Sequence, residues 1–465
     1  MKKILPILLV LAFSGFPAES LAQSPQTLTL DDCLLKALDY NKSLSNAKLQ
    51  LEKTTYDMKS YKANYFPQIN IMAIDLYTTA KGQFSIEGGH LPIYNYVEST
   101  GEYVPNVTVN ADGTYTLNQY ADFPTQTIKW KLNNLFMGGV SVLEPIYSGG
   151  KISTAYHMSK LGVNMANQNI RLTESEVIVK THEAYYLAVK AMELGDVARS
   201  YKTLLDELKK NVEGAFRHGM STRNDIMKVQ VKLNEAELNI QKADNAYSLA
   251  CMNLCHIVGM PLTSPIAVVP TDVADEAPQH VEMGERPEHV ILENKTEMAR
   301  LQVKLTKSDY LPNLAVGASY GYATGGKLAE KKLVDNASAS VGMVLKVPLD
   351  LFGGATNKIR SAKVAYQLAQ LDEQDLNEQM TLEHAQCQNI LDEAQTELKL
   401  CQVALEQATE NMRLSKQQYE VGFETLSDYL EAQTLWQQCN ANLVNARCQC
   451  QLAQVKLLKA SGRLK

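Results

Sequence analysis

The chain has 465 residues, with 45 Lys and Arg against 51 Asp and Glu and a net charge of −6. An acidic chain with no basic stripe carries no electrostatic footprint for nucleic acid. Beyond the opening segment no stretch approaches 18 uninterrupted apolar residues, so no helix is expected to cross a hydrocarbon core.

The chain opens Met1-Lys2-Lys3, continues with an apolar run from Ile4 to Phe16 and reaches Ser20-Leu21-Ala22. A basic start, an apolar centre and a small-residue exit predict a secretory signal over residues 1–22. All eight cysteines would then lie in the exported part. Residues 28–66 read as helix, acid-capped at Asp31-Asp32 and ended by Pro67. Residues 67–77 read as a strand whose partner runs from Trp130 to Ile146. Between them, residues 78–128 form a long connection rich in Tyr, Gly and Asn. It is expected to be an enlarged external loop, serving either as filler or as a cap or binding element.

Pro145 closes the second strand and Gly149-Gly150 redirects the chain into a helix over 151–217. At 1.5 Å per residue such a helix is roughly 100 Å long, against roughly 40–45 Å for a whole bilayer, so it must stand in an aqueous compartment. Its apolar seam runs Val177, Ala184, Leu187, Ala191, Leu194, Ala198, Tyr201, Leu205, Leu208, Val212 and Ala215, with Lys180 as the polar interruption. A tip follows at 216–225, where Gly219 ends one helix and Thr222-x-x-Asp225 starts the next. The returning helix steps by threes and fours from Ile226 through Val229, Leu233 and Ala236 to Ile257. Seam residues of alternating size over several heptads predict a coiled coil.

Residues 260–285, with Pro261, Pro265, Pro270 and Pro278, read as a crossing between two repeats, 23–259 and 286–465. The second repeat follows the same plan. A helix opens at Arg286-Pro287-Glu288, strands alternate over 314–322 and 340–347, and Gly353-Gly354 redirects the chain. A second tip at 419–428 has Gly422 and Thr425-x-x-Asp428 in the positions of Gly219 and Thr222-x-x-Asp225. Cys439 and Cys450 fall on the seam of the last helix and are expected to act as apolar filler. No cysteine or histidine spacing makes a metal site, and no cofactor is implied.

Strands with large apolar residues on one face and small or polar ones on the other fit an outer-membrane barrel. Four strands cannot close one, since the smallest single-chain barrels use eight, and open edges are not tolerated in lipid. Several chains must pool their strands. Three give twelve; a dimer of eight is also allowed by counting. The expected fold class is therefore α+β, mainly α, with a shared membrane barrel continued by a long coiled-coil tunnel.

Paired Gly tips, Pro-bounded strands and Gly-Gly strand exits in two copies resemble the outer-membrane efflux family of TolC-like channels, from Leu28 to Leu464. The resemblance implies a homotrimer with a twelve-stranded barrel and a periplasmic helical tunnel, located in the bacterial outer membrane and in contact with its lipid. It implies a passive exit duct of a tripartite efflux or type I secretion system, docked to a periplasmic adaptor and served, directly or through it, by an inner-membrane transporter. The adaptor-binding tips correspond to His218, Gly219, Met220, Val421, Gly422 and Phe423, although Met220 and Phe423 could instead pack within their tips. An entrance ring of carboxylates corresponds to Asp428 and Glu431, of which Asp428 also serves as a capping acid. An entrance lock corresponds to Asp225 and Tyr419. The basic residue that reaches this aspartate in the family's type member corresponds here to Glu424, which would weaken the lock or leave Arg223 or Arg217 to wire it.

No zinc-protease helix, nucleophile elbow or phosphate-binding lysine loop is present, so no enzymatic role is expected. The competing reading is an envelope coiled-coil scaffold or adhesin without channel activity.

Overall fold

A computed structural model describes residues 26–270 and 281–464. The expected signal over 1–22 and the middle of the crossing segment lie outside them. The first half holds β1 (Gln26–Leu28), α1 (Leu30–Tyr40), α2 (Lys42–Ala63), β2 (Gln68–Tyr77) and β3 (Lys81–Ile86). Six short strands follow: β4 (Gly89–Pro92), β5 (Tyr94–Val97), β6 (Glu102–Pro105), β7 (Val107–Val109), β8 (Tyr115–Leu117) and β9 (Tyr120–Phe123). Then come β10 (Gln126–Tyr147), α3 (Lys151–Arg217), α4 (Arg223–Val258) and β11 (Ile266–Val268). The second half holds α5 (Pro287–Ser308), β12 (Asn313–Leu328), β13 (Lys331–Lys346), α6 (Gly354–Glu420) and α7 (Leu426–Ala460). Both α3 and α6 have 67 residues, and α4 and α7 have 36 and 35.

The chain forms two compact units, each built from separated stretches. The unit of residues 57–159 and 299–365 is dominated by an antiparallel sheet in the order β13-β12-β10-β2, with β3 pairing the far end of β10. Register gives each face a row structure, because directly opposed residues of an antiparallel ladder point the same way. One face carries Ile71, Val140, Tyr320 and Ala339 in one row and Ile69, Val142, Ala318 and Val341 in the next. On the other face Asn70, Ser141, Ser319 and Ser340 form a row, with Ser319 and Ser340 hydrogen-bonded at 2.8 Å. That face is not wholly polar, since Met72, Ile74 and Val344 share it. Strands β10 and β12 approach so closely at Gly139 that a Cβ there would lie 2.7 Å from the Tyr320 carbonyl oxygen. Gly149 and Gly150, at φ 62° and 80°, redirect the chain into α3. Lys151 Nζ fixes that start against Asp309 at 2.7 Å.

Residues 78–128 are not an irregular loop. Strand β3 extends the main sheet, and the rest folds into the nested antiparallel pairs β4-β9, β5-β6 and β7-β8. Gly101 and Gly113 supply the left-handed turn residues of the inner pairs, at φ 70° and 80°. Strand β10 begins at Gln126, inside the stretch expected to be loop.

The second unit, residues 26–56, 160–298 and 366–464 of those described, is helical. Its largest apolar cluster joins Leu28, Cys33, Ala37, Val177, Tyr185, Leu254, Cys255, Ile266 and Val268. Strands β1 and β11 pair in parallel beside it, each only three residues long and so without a period that the sequence could show. Tyr185 lies fully buried and donates its hydroxyl to the Val269 carbonyl at 2.6 Å. Arg286, 4% exposed, bonds Glu288 at 2.9 Å and Glu383 on α6 at 2.7 Å, satisfying its guanidinium from two sides.

Two seam expectations change. Lys180 is exposed beside Glu176, and the buried polar groups of this stretch are Thr181 and His182. Leu187 is exposed while Tyr185, Ala188 and Val189 are buried. On α7 Cys450 is buried and Cys439 only half-buried, and all eight thiols are free. Burial pushes the Cys33 thiol up to about 12 and the Cys448 thiol up to about 11.

Candidate functional site at the helical tips

Each tip is built by the same local chemistry. At the first, Gly219 sits at φ 76°, its N–H donates to the Phe216 carbonyl at 3.0 Å, and the Met220 N–H reaches back to Ala215 at 2.9 Å. At the second, Gly422 sits at φ 81°, its N–H donates to Tyr419 at 3.1 Å, and the Phe423 N–H reaches Gln418 at 2.9 Å. This long return bond over a left-handed glycine satisfies the last free carbonyls of α3 and α6. Two residues later a threonine caps the next helix. The Asp225 N–H donates to Thr222 Oγ1 at 3.2 Å, and the Thr222 N–H and hydroxyl donate to Asp225 Oδ2 at 3.1 and 2.7 Å. Thr425 and Asp428 repeat the arrangement at 3.3, 3.1 and 2.7 Å. Hydrogen bonds from these threonines hold both carboxyls below the usual carboxylate range.

The turns push apolar side chains into solvent. Met220 is 77% exposed, Val421 67% and Phe423 87%, and His218 is exposed beside them. Neither Met220 nor Phe423 packs within its own tip. Behind the turns the two hairpins meet in one cluster: Tyr201, Leu205, Leu208 and Val212 of α3, Val229, Leu233 and Ala236 of α4, and Leu426, Tyr429 and Leu430 of α7.

Asp225 and Tyr419, expected to form the entrance lock, make their carboxylate and ring contacts elsewhere within one chain. The Asp225 carboxylate is used by its own cap and by Ser221 Oγ at 3.3 Å. Tyr419 stacks on Tyr429 instead, with ring centroids 5.5 Å apart and 19° between planes. Burial, and then the nearby Asp225 charge, raise the Tyr419 hydroxyl above its usual range. Glu424, which cannot pair with Asp225, accepts a hydrogen bond from the buried Ser415 Oγ of α6. Arg217 Nε turns to the Glu213 carbonyl of its own helix at 3.4 Å. At the tips a polar link between the two hairpins is Lys228, whose Nζ lies 2.9 Å from Ser427 Oγ and 3.7 Å from Asp225. Sequence reasoning missed it, although a lysine three residues after a capping aspartate is a readable pair on one helix face.

Asp428 and Glu431 are both exposed, one turn apart on the side of α7 away from Tyr429 and Leu430. Among the described residues no three His, Cys, Asp or Glu side chains converge to hold a metal.

Residues 292–463 match a family described as outer membrane efflux protein. The chain is 21% identical over 369 residues to the outer membrane protein TolC of Vibrio cholerae, covering 77% of this chain and 82% of that protein. It is 25% identical over 240 residues to the alkaline protease secretion protein AprF of Pseudomonas aeruginosa, covering 48% and 47%. Among solved structures, the Campylobacter jejuni CmeC outer membrane channel superposes with a TM-score of 0.73 at 17% identity, covering 93% of this chain and 85% of that one. The open-state MtrE outer membrane channel of Neisseria gonorrhoeae gives 0.68 at 14%, covering 94% and 89%.

Proposed function

We propose that this chain, a TolC-like member of the outer membrane efflux family, is the outer-membrane exit duct of a tripartite efflux or type I secretion system. The observation that carries the reading is a sheet four strands wide, β3 continuing the line of β2 along β10, with open edges at β2 and β13 and an apolar face in open solvent in the single chain. Lipid cannot hydrogen-bond those edges, so they must be closed by other copies. Three copies make a twelve-stranded barrel, continued by a tunnel of their long helices. The helices themselves support this. On α4, Val231, Leu238 and Leu249 are each more than half exposed and, at 100° per residue, fall within about 60° of arc. Leu368, Leu371, Leu382 and Leu400 do the same on α6. Such stripes suit coiled-coil contacts with neighbouring protomers.

On this reading residues 1–22 are removed at export, 23–259 and 286–465 are the two structural repeats, and 260–285 crosses between them. The duct is passive and holds no catalytic centre; energy comes from an inner-membrane transporter, reached directly or through a periplasmic adaptor. Met220, Val421 and Phe423, with His218 and the turns at Gly219 and Gly422, form the adaptor contact. Asp428 and Glu431, repeated around the axis, ring the entrance with carboxylates and favour cations there. Opening separates the hairpins at Lys228–Ser427 and where Tyr419 of the second hairpin lies near Asp225 of the first, biased by adaptor docking.

A photo-crosslinking residue in place of Met220, or separately of Phe423, tests the tip assignment in native cells. Capture of a periplasmic adaptor, identified by mass spectrometry, is the expected result. Efficient crosslinks only within the homotrimer would overturn it.

A further inference from the structure

Four lysines meet in one row of the sheet. Register sets Lys131 on β10 opposite Lys81 on β3 and opposite Lys327 on β12, and Lys327 opposite Lys332 on β13. Opposed side chains of a ladder stand about 5 Å apart, and like charges so placed repel. All four are exposed. Lys332 has a counter-charge, Asp335 at 2.8 Å. Among the described residues Lys81, Lys131 and Lys327 have no ion-pair partner. In a chain of net charge −6 this is a local concentration of uncompensated positive charge.

The row also has a defined side. Strand β13 has no left-handed residue, so plain alternation carries Lys332 onto the face of Ser340 and Gly342. The ladder carries the other three with it. This is the face of the Asn70–Ser141–Ser319–Ser340 row, opposite Ile71, Val140 and Tyr320. The lysines lie at the hairpin end of the sheet, five residues beyond Tyr322 along β12, or roughly 17 Å of strand.

We propose that Lys81, Lys131, Lys327 and Lys332 form an anion-binding collar lining the lumen at the loop end of the barrel, and that it binds polyvalent oxyanions. The assignment rests on the duct reading, in which the apolar face meets lipid and the opposite face meets the lumen. Three protomers would bring nine unneutralised ammonium groups around one opening. Rings of lysine or arginine are a means by which pores select anions and phosphates.

Inorganic tripolyphosphate is the probe. Single channels in planar bilayers are titrated with it from the loop side, for the wild type and for the triple variant Lys81→Gln, Lys131→Gln, Lys327→Gln. Block of the wild type, weakened about tenfold or more in the triple variant and retained in the Lys→Arg triple, is the expected result. Equal block of wild type and Gln variant would overturn the collar; so would absence of block in a conducting wild type, as when exposed acids such as Glu87 or Asp122 of a neighbouring protomer neutralise the row. Lipid phosphate that copurifies with the wild type and is lost in the Gln variant, with block unchanged, would place the lysines against lipid and also overturn it. Calorimetric titration of tripolyphosphate into detergent-solubilised protein separates the two readings. If the wild type conducts nothing but binds the anion more tightly than the variant, the duct fails and the lysine site stands. Equal binding sinks the site whether or not the protein conducts.

Discussion

Thr222 and Thr425 do the same work in the two hairpins, and the tips depend on them. Each supplies the side-chain oxygen for the first turn of a helix more than thirty residues long. Replacing either with alanine is expected to cost about 1 kcal/mol. Faster amide exchange over the first turn of α4 or α7, with the distal helix unchanged, is the measurement that checks it. The paired aspartates add a pH dependence of known sign. Asp225 and Asp428 have folded-state pKa values below the ordinary carboxylate value of 3.8. Their contribution is therefore complete above that value and is lost as pH falls through the lowered one. Exchange at both tips should stay constant from neutral pH down to about 4 and accelerate below it, beyond the intrinsic pH dependence. Glycines and capping boxes were legible in the sequence because every partner lies within a few residues. The Ser415–Glu424 and Lys228–Ser427 contacts were not, because they depend on how the helices on either side of a turn, or two separate hairpins, register against each other.

Among the elements, the long helices were the easiest to read. Helix α3 has the expected bounds, since Gly149-Gly150 and Gly219 mark its two ends and the seam from Val177 to Ala215 runs on without a break. Individual seam positions were less secure. An α-helix drifts by about 20° per heptad against a strict seven-residue seam, so over 67 residues the buried stripe moves, and Leu187 and Lys180 turn outward. The pairs inside residues 78–128 escaped for a different reason. Strands of three or four residues are too short to establish a period, although Thr100-Gly101 and Asp112-Gly113 were usable turn signals. The lysine row joins residues up to 251 positions apart and has no local signature. The outward stripe of α4 carries a prediction at this scale. Val231→Asp with Leu238→Asp buries no charge within the single chain, where both positions are exposed. It should leave helical circular dichroism intact while sedimentation in detergent shows protomers in place of trimers. A stable trimer with both substitutions would show that this stripe is not an interface.

At the scale of the whole molecule, the repeat is legible in the sequence as two matching tips, and the lengths of α3 and α6 agree residue for residue. The number of copies was not visible, since strand counting allowed two as well as three. In the proposed duct the need for other copies, though not their number, becomes a chemical requirement from the sheet's two open edges and from the apolar side chains left in solvent on β2, β13, α4 and α6. A scaffold or adhesin would share the long helices but has no need of an open-edged, one-sidedly apolar sheet.

The most direct measurement is conductance of the purified, detergent-solubilised protein in planar lipid bilayers, with its sedimentation mass taken on the same preparation. A trimer that inserts and gives discrete current steps, larger when Lys228→Ala removes the contact between the hairpins, is the predicted result. A protein that keeps its helical content and yet neither inserts nor passes current, with or without that substitution, would contradict the duct.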